Sequence, residues 1–307
     1  MPKTGRIETW AEGVQSYLGF LEGTGKSGNT IRNYRSDLSS LDQFLRKQRI
    51  HFKNFTETDF RTYSEHLAKF YPESNTRRRK LLTAKSFYDY LLVRKKLRKS
   101  PAKFFSPPPR NDYTPYVPSQ EEIHQIGEYL KKKSKSLLDT PLSELREDIL
   151  LRDRALFGIL IETGLKVSEV VALHWEQIEG KTLKTKYGVR FPLSDFLVLE
   201  LEKLEKKFSS FTPYLFWGSN RYGLRTQKLS VRGVELIVAR VSEELDLPDL
   251  KPRSFRHSAA LKWLKEGVSE AEVLNRLNLI NTNSLDPYRK LLARGLLLKE
   301  EGPIVQS

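Results

Sequence analysis

The sequence predicts a mainly α-helical protein of two domains that carries one small β-hairpin. Apolar residues recur at steps of three and four through most of the chain, as a helix with one buried face requires. Two short alternating runs around a glycine predict the hairpin over residues 182–193. Six prolines between residues 101 and 118 predict an extended linker, because proline cannot continue a helix. The predicted domains are therefore residues 1–100 and 119–307.

Four helices are expected in the first domain. The first buries apolar residues between Trp10 and Leu21, and the second begins after the capping side chains of Ser27 and Asn29. The third covers residues 57–70 and the fourth covers residues 75–93. The fourth helix is expected to bury Leu81, Leu82, Phe87, Tyr90 and Leu91 and to expose the basic run Arg77, Arg78, Arg79 and Lys80.

The second domain is expected to hold the hairpin among further helices. Gly164 follows one of these helices and supplies the left-handed residue that commonly ends a helix. Periodic apolar residues predict helices over residues 121–133, 150–163, 167–175, 195–208, 231–245, 254–266 and 270–279.

The positive charge of the chain is concentrated in its first third. The chain has 53 Lys and Arg against 38 Asp and Glu, a formal net charge of +15. Residues 1–110 hold 23 basic and 10 acidic residues, whereas residues 111–307 hold 30 and 28. A basic module beside a near-neutral one favours nucleic acid as partner over a surface charged only for solubility. RNA is less favoured than DNA, because no glycine and aromatic ribonucleoprotein motif is present.

The composition excludes several classes of protein. The chain has no cysteine, which excludes disulfides, thiolate metal sites and cysteine nucleophiles. The 5 histidines show no paired spacing typical of metal ligands, so we expect neither a metal nor another cofactor. Apolar runs are too short for a membrane span, and the first residues lack the apolar run of a signal peptide. A soluble, cytoplasmic protein without a membrane partner is expected.

Several segments, in the expected order, resemble tyrosine recombinases of the phage integrase and Xer type. The resemblance covers residues 8–295. It implies a helical, SAM-like core-binding domain that binds DNA, followed by a catalytic domain. The first domain resembles the family through TGKSGNTIRNYRSDLSSLDQFL and SNTRRRKLLTAKSFYDYLL. The second does so through RDRALFGILIETGLKVSEVVALHWEQIE, TLKTKYGVRFPL, KPRSFRHSAALKWL and NSLDPYRKLL.

The resemblance implies a specific chemistry on duplex DNA. In this family a tyrosine attacks a phosphodiester, forms a 3′-phosphotyrosyl link and releases a 5′-hydroxyl. Arginines and other donors stabilise the charge that builds on the phosphate oxygens, and a lysine protonates the leaving oxygen. The covalent link retains the energy of the broken bond, so strands are rejoined without ATP, metal or cofactor. The implied assembly is a dimer or tetramer on DNA, formed by copies of the chain or with a partner recombinase.

The resemblance assigns site residues to positions in the second domain. Tyr288 stands at the position of the nucleophile. Arg256 is the retained arginine of the family's His-x-x-Arg box, the second of the segments whose arginines form a clamp around the phosphate. Glu169 matches a supporting acid. His257 follows the arginine, where a role in helix packing is expected before a catalytic one. Pro287 is a departure that we expect to disrupt the helix around the nucleophile.

Three of the six expected catalytic positions are substituted. Lys166 stands in place of an arginine, and its ammonium lacks the planar fork that grips phosphate. Arg253 replaces a histidine, and Leu279 replaces a histidine or tryptophan and has no donor. The hairpin lysine is best matched by Lys186, with Lys184 a close rival because the hairpin is short.

Two functions therefore stay open at the level of the sequence. The first is a site-specific recombinase whose activity is weakened by these substitutions. The second is a relative that has lost cleavage and serves as a DNA-binding or architectural partner. In both cases we expect contacts to the DNA backbone from Arg32, Arg77, Arg78, Arg79, Lys80 and Lys85.

Overall fold

The computed structural model describes residues 7–72, 74–109, 114–135, 143–220 and 225–300. The chain divides into two compact units, Met1–Asp112 and Tyr113–Ser307. Within the described ranges, no helix is both long and apolar enough to cross a membrane.

The first unit is a bundle of helices that begin at polar caps. The side chains of Thr9, Ser27 and Thr56 each accept a hydrogen bond from a backbone N–H of the following helix, which fixes where that helix starts. Leu82, predicted to be buried, is 38% exposed. The helices are α1 (Trp10–Gly23), α2 (Gly28–Lys47), α3 (Glu57–Phe70) and α4 (Ser74–Val93), with a 3₁₀ turn at Phe52–Asn54.

Aromatic rings fill the core of the first unit. Phe87 is fully buried and meets Trp10 edge-on, with ring centroids 5.1 Å apart. Such pairs add specific contacts to the burial of a large apolar surface. Ala102 is buried against the same core and Phe105 packs on it. The first residues of the proline-rich segment therefore pack on this unit.

A buried aspartate joins α2 to α4. Asp37 accepts a hydrogen bond from Thr83 Oγ1 at 3.0 Å and pairs with Lys80 Nζ at 3.3 Å and with Arg79. Lys80 is 4% exposed and also donates to Ser40 Oγ at 2.7 Å. The prediction that the whole basic run is exposed is therefore wrong for Lys80, because its charge is needed beside the buried carboxylate.

The second unit is built of helices around two small antiparallel sheets. In the first sheet the strand Thr182–Lys184 is central, and its Leu183 pairs with Phe191 across the hairpin. The elements are α5 (Gln120–Lys135), α6 (Ser143–Thr163), α7 (Val167–Val170), β1 (Ile178–Glu179), β2 (Thr182–Lys184), β3 (Arg190–Pro192), α8 (Asp195–Phe208), β4 (Gly218–Ser219), β5 (Arg225–Thr226), α9 (Val231–Glu244), α10 (Pro252–Lys265), α11 (Glu270–Arg276) and α12 (Asp286–Glu300).

Two predicted helices of this unit are shorter than expected. The helix predicted over residues 167–175 is the single turn α7, because the chain then leaves it to pair with a neighbouring segment. There Leu215 N donates to Leu173 O at 2.9 Å and His174 forms a bridge with Tyr214. The helix predicted over residues 270–279 ends earlier, as α11, and Asn278 takes a φ of 46°.

The end of α6 lies close against α10. Gly164 has a φ of 59°, which confirms the left-handed residue predicted there. A Cβ atom at Gly164 would lie 2.8 Å from Ala259 Cβ, so the position also demands a residue without a side chain. This close approach brings the Gly164 carbonyl within reach of the side chains of α10.

Candidate active site

Arg256 lies at the centre of the candidate site, where α10 passes the ends of α6 and α11. Its Nη1 donates to Gly164 O at 3.0 Å and its Nη2 donates to Leu277 O. Burial lowers the pKa of the Arg256 guanidinium, and the negative charge of Glu169 partly opposes this shift. An arginine keeps its proton under these conditions, so a positive charge is held inside the unit.

Lys166 contacts the same segment as Arg256, the residues that directly follow α11. It caps α7, where its backbone N–H donates to Glu169 Oε2 at 2.8 Å. Its Nζ lies 3.4 Å from Asn278 O, 112 residues away in the chain. Lys166 and Arg256 therefore donate to consecutive carbonyls in the connection between α11 and α12, which brings two of the predicted clamp cations together.

Tyr288 lies in the first turn of α12 and is 5% exposed. Its hydroxyl is 2.7 Å from Nδ1 of His257 on α10. We expected Pro287 to disrupt the helix around Tyr288, and this prediction is wrong, because α12 begins at Asp286 and runs through Pro287. Pro287 occupies the first turn, where a helix tolerates proline because that backbone N–H has no partner within the helix.

His257 is buried in the same interior, with 4% of its surface exposed. Burial, together with the positive charges of Arg253 and Arg256, lowers the pKa of His257 to about 4. The imidazole is therefore neutral near pH 7. One ring nitrogen of a neutral imidazole is an acceptor, so the Tyr288 hydroxyl can donate to it.

The two remaining clamp positions differ in exposure. Arg253 is exposed in the first turn of α10, and its charge acts on both Arg256 and His257. Leu279 is half-buried and packs against the apolar core of the unit. At that position the chain has a packing residue in place of a donor.

Both candidate lysines of the hairpin line a cavity of about 790 Å³, and Glu169 lines the same cavity. Lys184 ends β2, and its Nζ is 3.7 Å from a carboxylate oxygen of Glu179. Lys186 lies in the turn, with its Nζ 4.9 Å from the ring centroid of the exposed Tyr187. The choice between the two lysines stays a prediction.

A cluster of charges beside Tyr288 was not found from the sequence. Arg289 donates from Nε and Nη2 to the two carboxylate oxygens of Glu270, at 2.8 and 2.5 Å. Its Nη1 donates to Asp286 Oδ1 at 2.5 Å. The clamp of Arg289, Glu270 and Asp286 fastens the first turn of α12 to the first turn of α11. The spacing of Asp286 and Arg289 was a signal for the helical pair, but nothing in the sequence pointed to Glu270.

The basic residues predicted to touch DNA lie on α2 and α4 of the first unit and differ in their surroundings. Arg32 is exposed and donates to Asn29. Arg77 is half-buried, Arg78 donates to Pro108 O, and Arg79 and Lys80 pair with Asp37. Lys85 pairs with Asp89 at 3.0 Å.

Two family models match the chain in the order of its two units. The model of the phage integrase family matches residues 128–294. The model of the N-terminal SAM-like domain of phage integrases matches residues 14–95. Together they reach from α1 to α12.

Curated relatives match most of the chain at low identity. The tyrosine recombinase XerC of Staphylococcus haemolyticus is 24% identical over 274 residues, which cover 85% of this chain and 86% of the relative. The tyrosine recombinase XerC of Oceanobacillus iheyensis is 29% identical over 278 residues, which cover 82% and 83%.

Solved structures share the fold. A lambda integrase dimer bound to a COC′ core site has a TM-score of 0.67 at 13% identity, covering 92% of this chain and 77% of that one. The XerH site-specific recombinase bound to its difH substrate has a TM-score of 0.65 at 15% identity, covering 92% and 81%.

Proposed function

Since the chain belongs to the phage integrase family, we propose that it is a tyrosine recombinase that binds duplex DNA. It cleaves and rejoins strands through a 3′-phosphotyrosyl intermediate at Tyr288. The fold and the similarity to XerC recombinases over most of the chain support the class of reaction. Because its substrate is DNA, we place the protein in the cytoplasm.

One observation carries the proposal to the level of residues. Lys166 and Arg256 donate to the neighbouring carbonyls of Leu277 and Asn278, and Tyr288 contacts the residue that follows Arg256. Cations from α7 and α10 and a phenol from α12 thus converge from distant parts of the chain. This is the set of groups that attack on a phosphodiester requires.

The proposed mechanism uses these groups in turn. Arg256, Lys166 and Arg253 hold the phosphate and stabilise the charge that develops on its oxygens. Tyr288 Oη attacks phosphorus as the bond to the 5′-oxygen breaks, and Lys186 protonates the leaving oxygen. Rejoining runs the same steps in reverse. Loss of a phosphate-stabilising arginine lowers the rate by about 10³–10⁵-fold. Because Lys166 stands in place of such an arginine, we expect this enzyme to be slower than one that has an arginine at this position.

We assign DNA binding outside the catalytic pocket to residues 1–100, and catalysis to residues 119–307. The exposed or half-exposed arginines of α2 and α4 are the proposed backbone contacts: Arg32, Arg77, Arg78 and Arg79. Lys80 is left out because it is buried beside Asp37. Lys85 is a weaker candidate, since Asp89 holds its ammonium. Dimers or tetramers on paired sites complete the proposal.

A second function is favoured by the state of the nucleophile. Tyr288 is 5% exposed, and three of the expected catalytic positions carry Lys166, Arg253 and Leu279. A family member that binds DNA without cleaving it fits these observations.

Covalent trapping separates the two functions. DNA that the protein selects from a random pool is converted into nicked duplexes, in which the cleaved strand loses its 5′-hydroxyl fragment by diffusion. The proposed enzyme forms a denaturation-resistant adduct on this DNA, Tyr288→Phe forms none, and Tyr34→Phe, in the first unit, forms as much as the wild type. Absence of an adduct on DNA that the protein demonstrably binds supports the second function.

A further inference from the structure

The side chain that contacts the proposed nucleophile is a histidine to which the proposed mechanism gives no catalytic role. His257 Nδ1 and Tyr288 Oη are 2.7 Å apart, the separation of a good hydrogen bond. Both residues are buried, at 4% and 5% exposure, in an interior where solvent does not compete for the phenol proton. A group within 2.6–3.2 Å of the proton that must leave meets the first requirement of a general base.

The substitutions in this chain bear on where that proton goes. Arg253 stands where the family box has a histidine, and an arginine accepts no proton near neutral pH. Leu279, at the other position usually held by a histidine or tryptophan, has no ionisable group. Neither of these substituted positions provides a base, whereas His257 already touches the hydroxyl.

The charges around His257 suit a base that acts when DNA is present. Arg253 and Arg256, on the same helix, face it with positive charge, and Tyr288 faces it from α12. Before DNA binds, these charges and burial keep the imidazole neutral and able to accept a proton. A phosphate held by the two arginines offsets their charge, which raises the affinity of His257 for a proton as the reaction begins.

We propose that His257 is a catalytic residue of this chain, the general base that receives the proton of Tyr288; this inference rests on the proposed function. As the bond between Oη and phosphorus forms, the hydroxyl proton moves to Nδ1. The bond from phosphorus to the 5′-oxygen breaks, and that oxygen takes a proton from the hairpin lysine. In rejoining, the 5′-hydroxyl attacks, its proton returns to the lysine, and His257 gives its proton back to the leaving phenolate.

Chemical rescue tests the assignment. The rate of adduct formation on the nicked duplex is measured for the wild type, His257→Ala and His257→Gln, together with binding of the same DNA. A positioned base is worth about 10²–10⁴-fold, so we expect both variants to bind DNA and to react at least about 100-fold more slowly. Added imidazole should restore part of the rate of His257→Ala. The matched control His124→Ala changes an exposed histidine of α5 and should react like the wild type.

A second probe distinguishes the loss of a general base from the loss of a packing contact. A trifluorotyrosine at position 288 has a more acidic phenol that needs less help to lose its proton, so it should shrink the defect of His257→Gln. A wild-type rate in His257→Ala, or a loss that neither imidazole nor the fluorinated phenol reduces, overturns the inference and leaves His257 a packing residue. If the wild type itself forms no adduct on DNA that it binds, the proposed function fails first, and the role of His257 fails with it.

Discussion

At the scale of single residues, the question is which lysine protonates the leaving 5′-oxygen. Lys184 ends a strand beside Glu179, whereas Lys186 lies in the turn beside Tyr187. Both lysines line the cavity that Glu169 also lines. The short hairpin left the choice between the two lysines open in the sequence, and in the structure both of them line this one cavity. A chemical test must therefore separate them.

A sulfur leaving group makes that test. On a duplex with a 5′-bridging sulfur at the cleaved bond, the leaving thiolate needs no proton, so a missing general acid no longer matters. We expect Lys186→Ala to slow cleavage of the oxygen substrate by about 10²-fold or more and to approach the wild-type rate on the sulfur substrate. Lys184→Ala should be affected far less on both. The reverse pattern assigns the proton donor to Lys184.

The buried His257 also predicts how stability depends on pH. Its pKa is about 4 in the folded protein, below the value of about 6.5 in an unfolded chain, so the unfolded state binds more protons between these values. The stabilising contribution is present above pH 6.5 and is lost as the pH falls toward 4. Between pH 7 and pH 4 we expect the wild type to lose about 3 kcal/mol more free energy of unfolding than His257→Gln does. Urea unfolding at both pH values measures the difference, and equal losses would contradict it.

At the scale of elements, the start of α12 decides where the nucleophile lies. Arg289 holds this turn to α11 through Glu270 and to its own helix through Asp286. The three side chains are between 39% and 51% exposed, so water partly screens each pair and its contribution to stability is small. The ion pairs of Arg289 therefore favour the position of α12 in which Tyr288 is buried, and they are weak enough to break.

Tyrosine nitration reads out that bias. In the wild type, Tyr288 should react nearly as slowly as the fully buried Tyr63 and much more slowly than Tyr187, which is 55% exposed. Loss of both pairs in Arg289→Ala should speed nitration of Tyr288 about fivefold. Arg294→Ala removes an exposed arginine from the same helix and should leave the rate unchanged. Equal labelling of Tyr288 in the three proteins would mean that the clamp does not hold the turn.

Long elements with a capping residue could be predicted from the sequence better than short elements could. Helix α3 has the bounds expected from the sequence, because Thr56 caps it and its apolar residues keep one period. The two-residue strands β1, β4 and β5 were not predicted, since two residues carry no alternation. Helix α7 was overestimated because the pairing of Leu173 with Leu215 is a contact between distant segments.

The site divides in the same way between what is local and what is not. The short motifs that hold Arg253, Arg256 and Tyr288 could be recognised in the sequence because they resemble those of the family. Contacts between helices could not, and they include the bond of His257 to Tyr288 and the pair of Arg289 with Glu270. Burial of Lys80 was missed for this reason too, since its partner Asp37 lies on another helix.

At the scale of the whole molecule, the charge is unevenly divided. Residues 1–110 carry most of the excess of basic over acidic residues in a chain of net charge +15. If this excess binds the DNA backbone, affinity comes largely from displaced counterions and falls steeply with salt. With about six phosphate contacts, we expect a loss of roughly 10³-fold in affinity between 50 and 200 mM salt, measured by fluorescence anisotropy.

Single variants assign that charge to a surface. Arg77→Ala should weaken binding on all sequences alike and lower the slope of log affinity against log salt by about 1. Arg61→Ala is the control, because this exposed arginine of α3 pairs with Glu57. A flat salt response in the wild type, or equal effects of the two variants, would contradict the assignment to α2 and α4.

The most direct measurement is the identity of the residue that becomes joined to DNA. The adduct formed on the nicked duplex is digested with protease and nuclease, and mass spectrometry locates the nucleotide that stays attached to a peptide. We expect a single modified residue, Tyr288, in a peptide from the start of α12. A nucleotide on another of the 13 tyrosines, or no modified peptide from DNA that the protein binds, would contradict it.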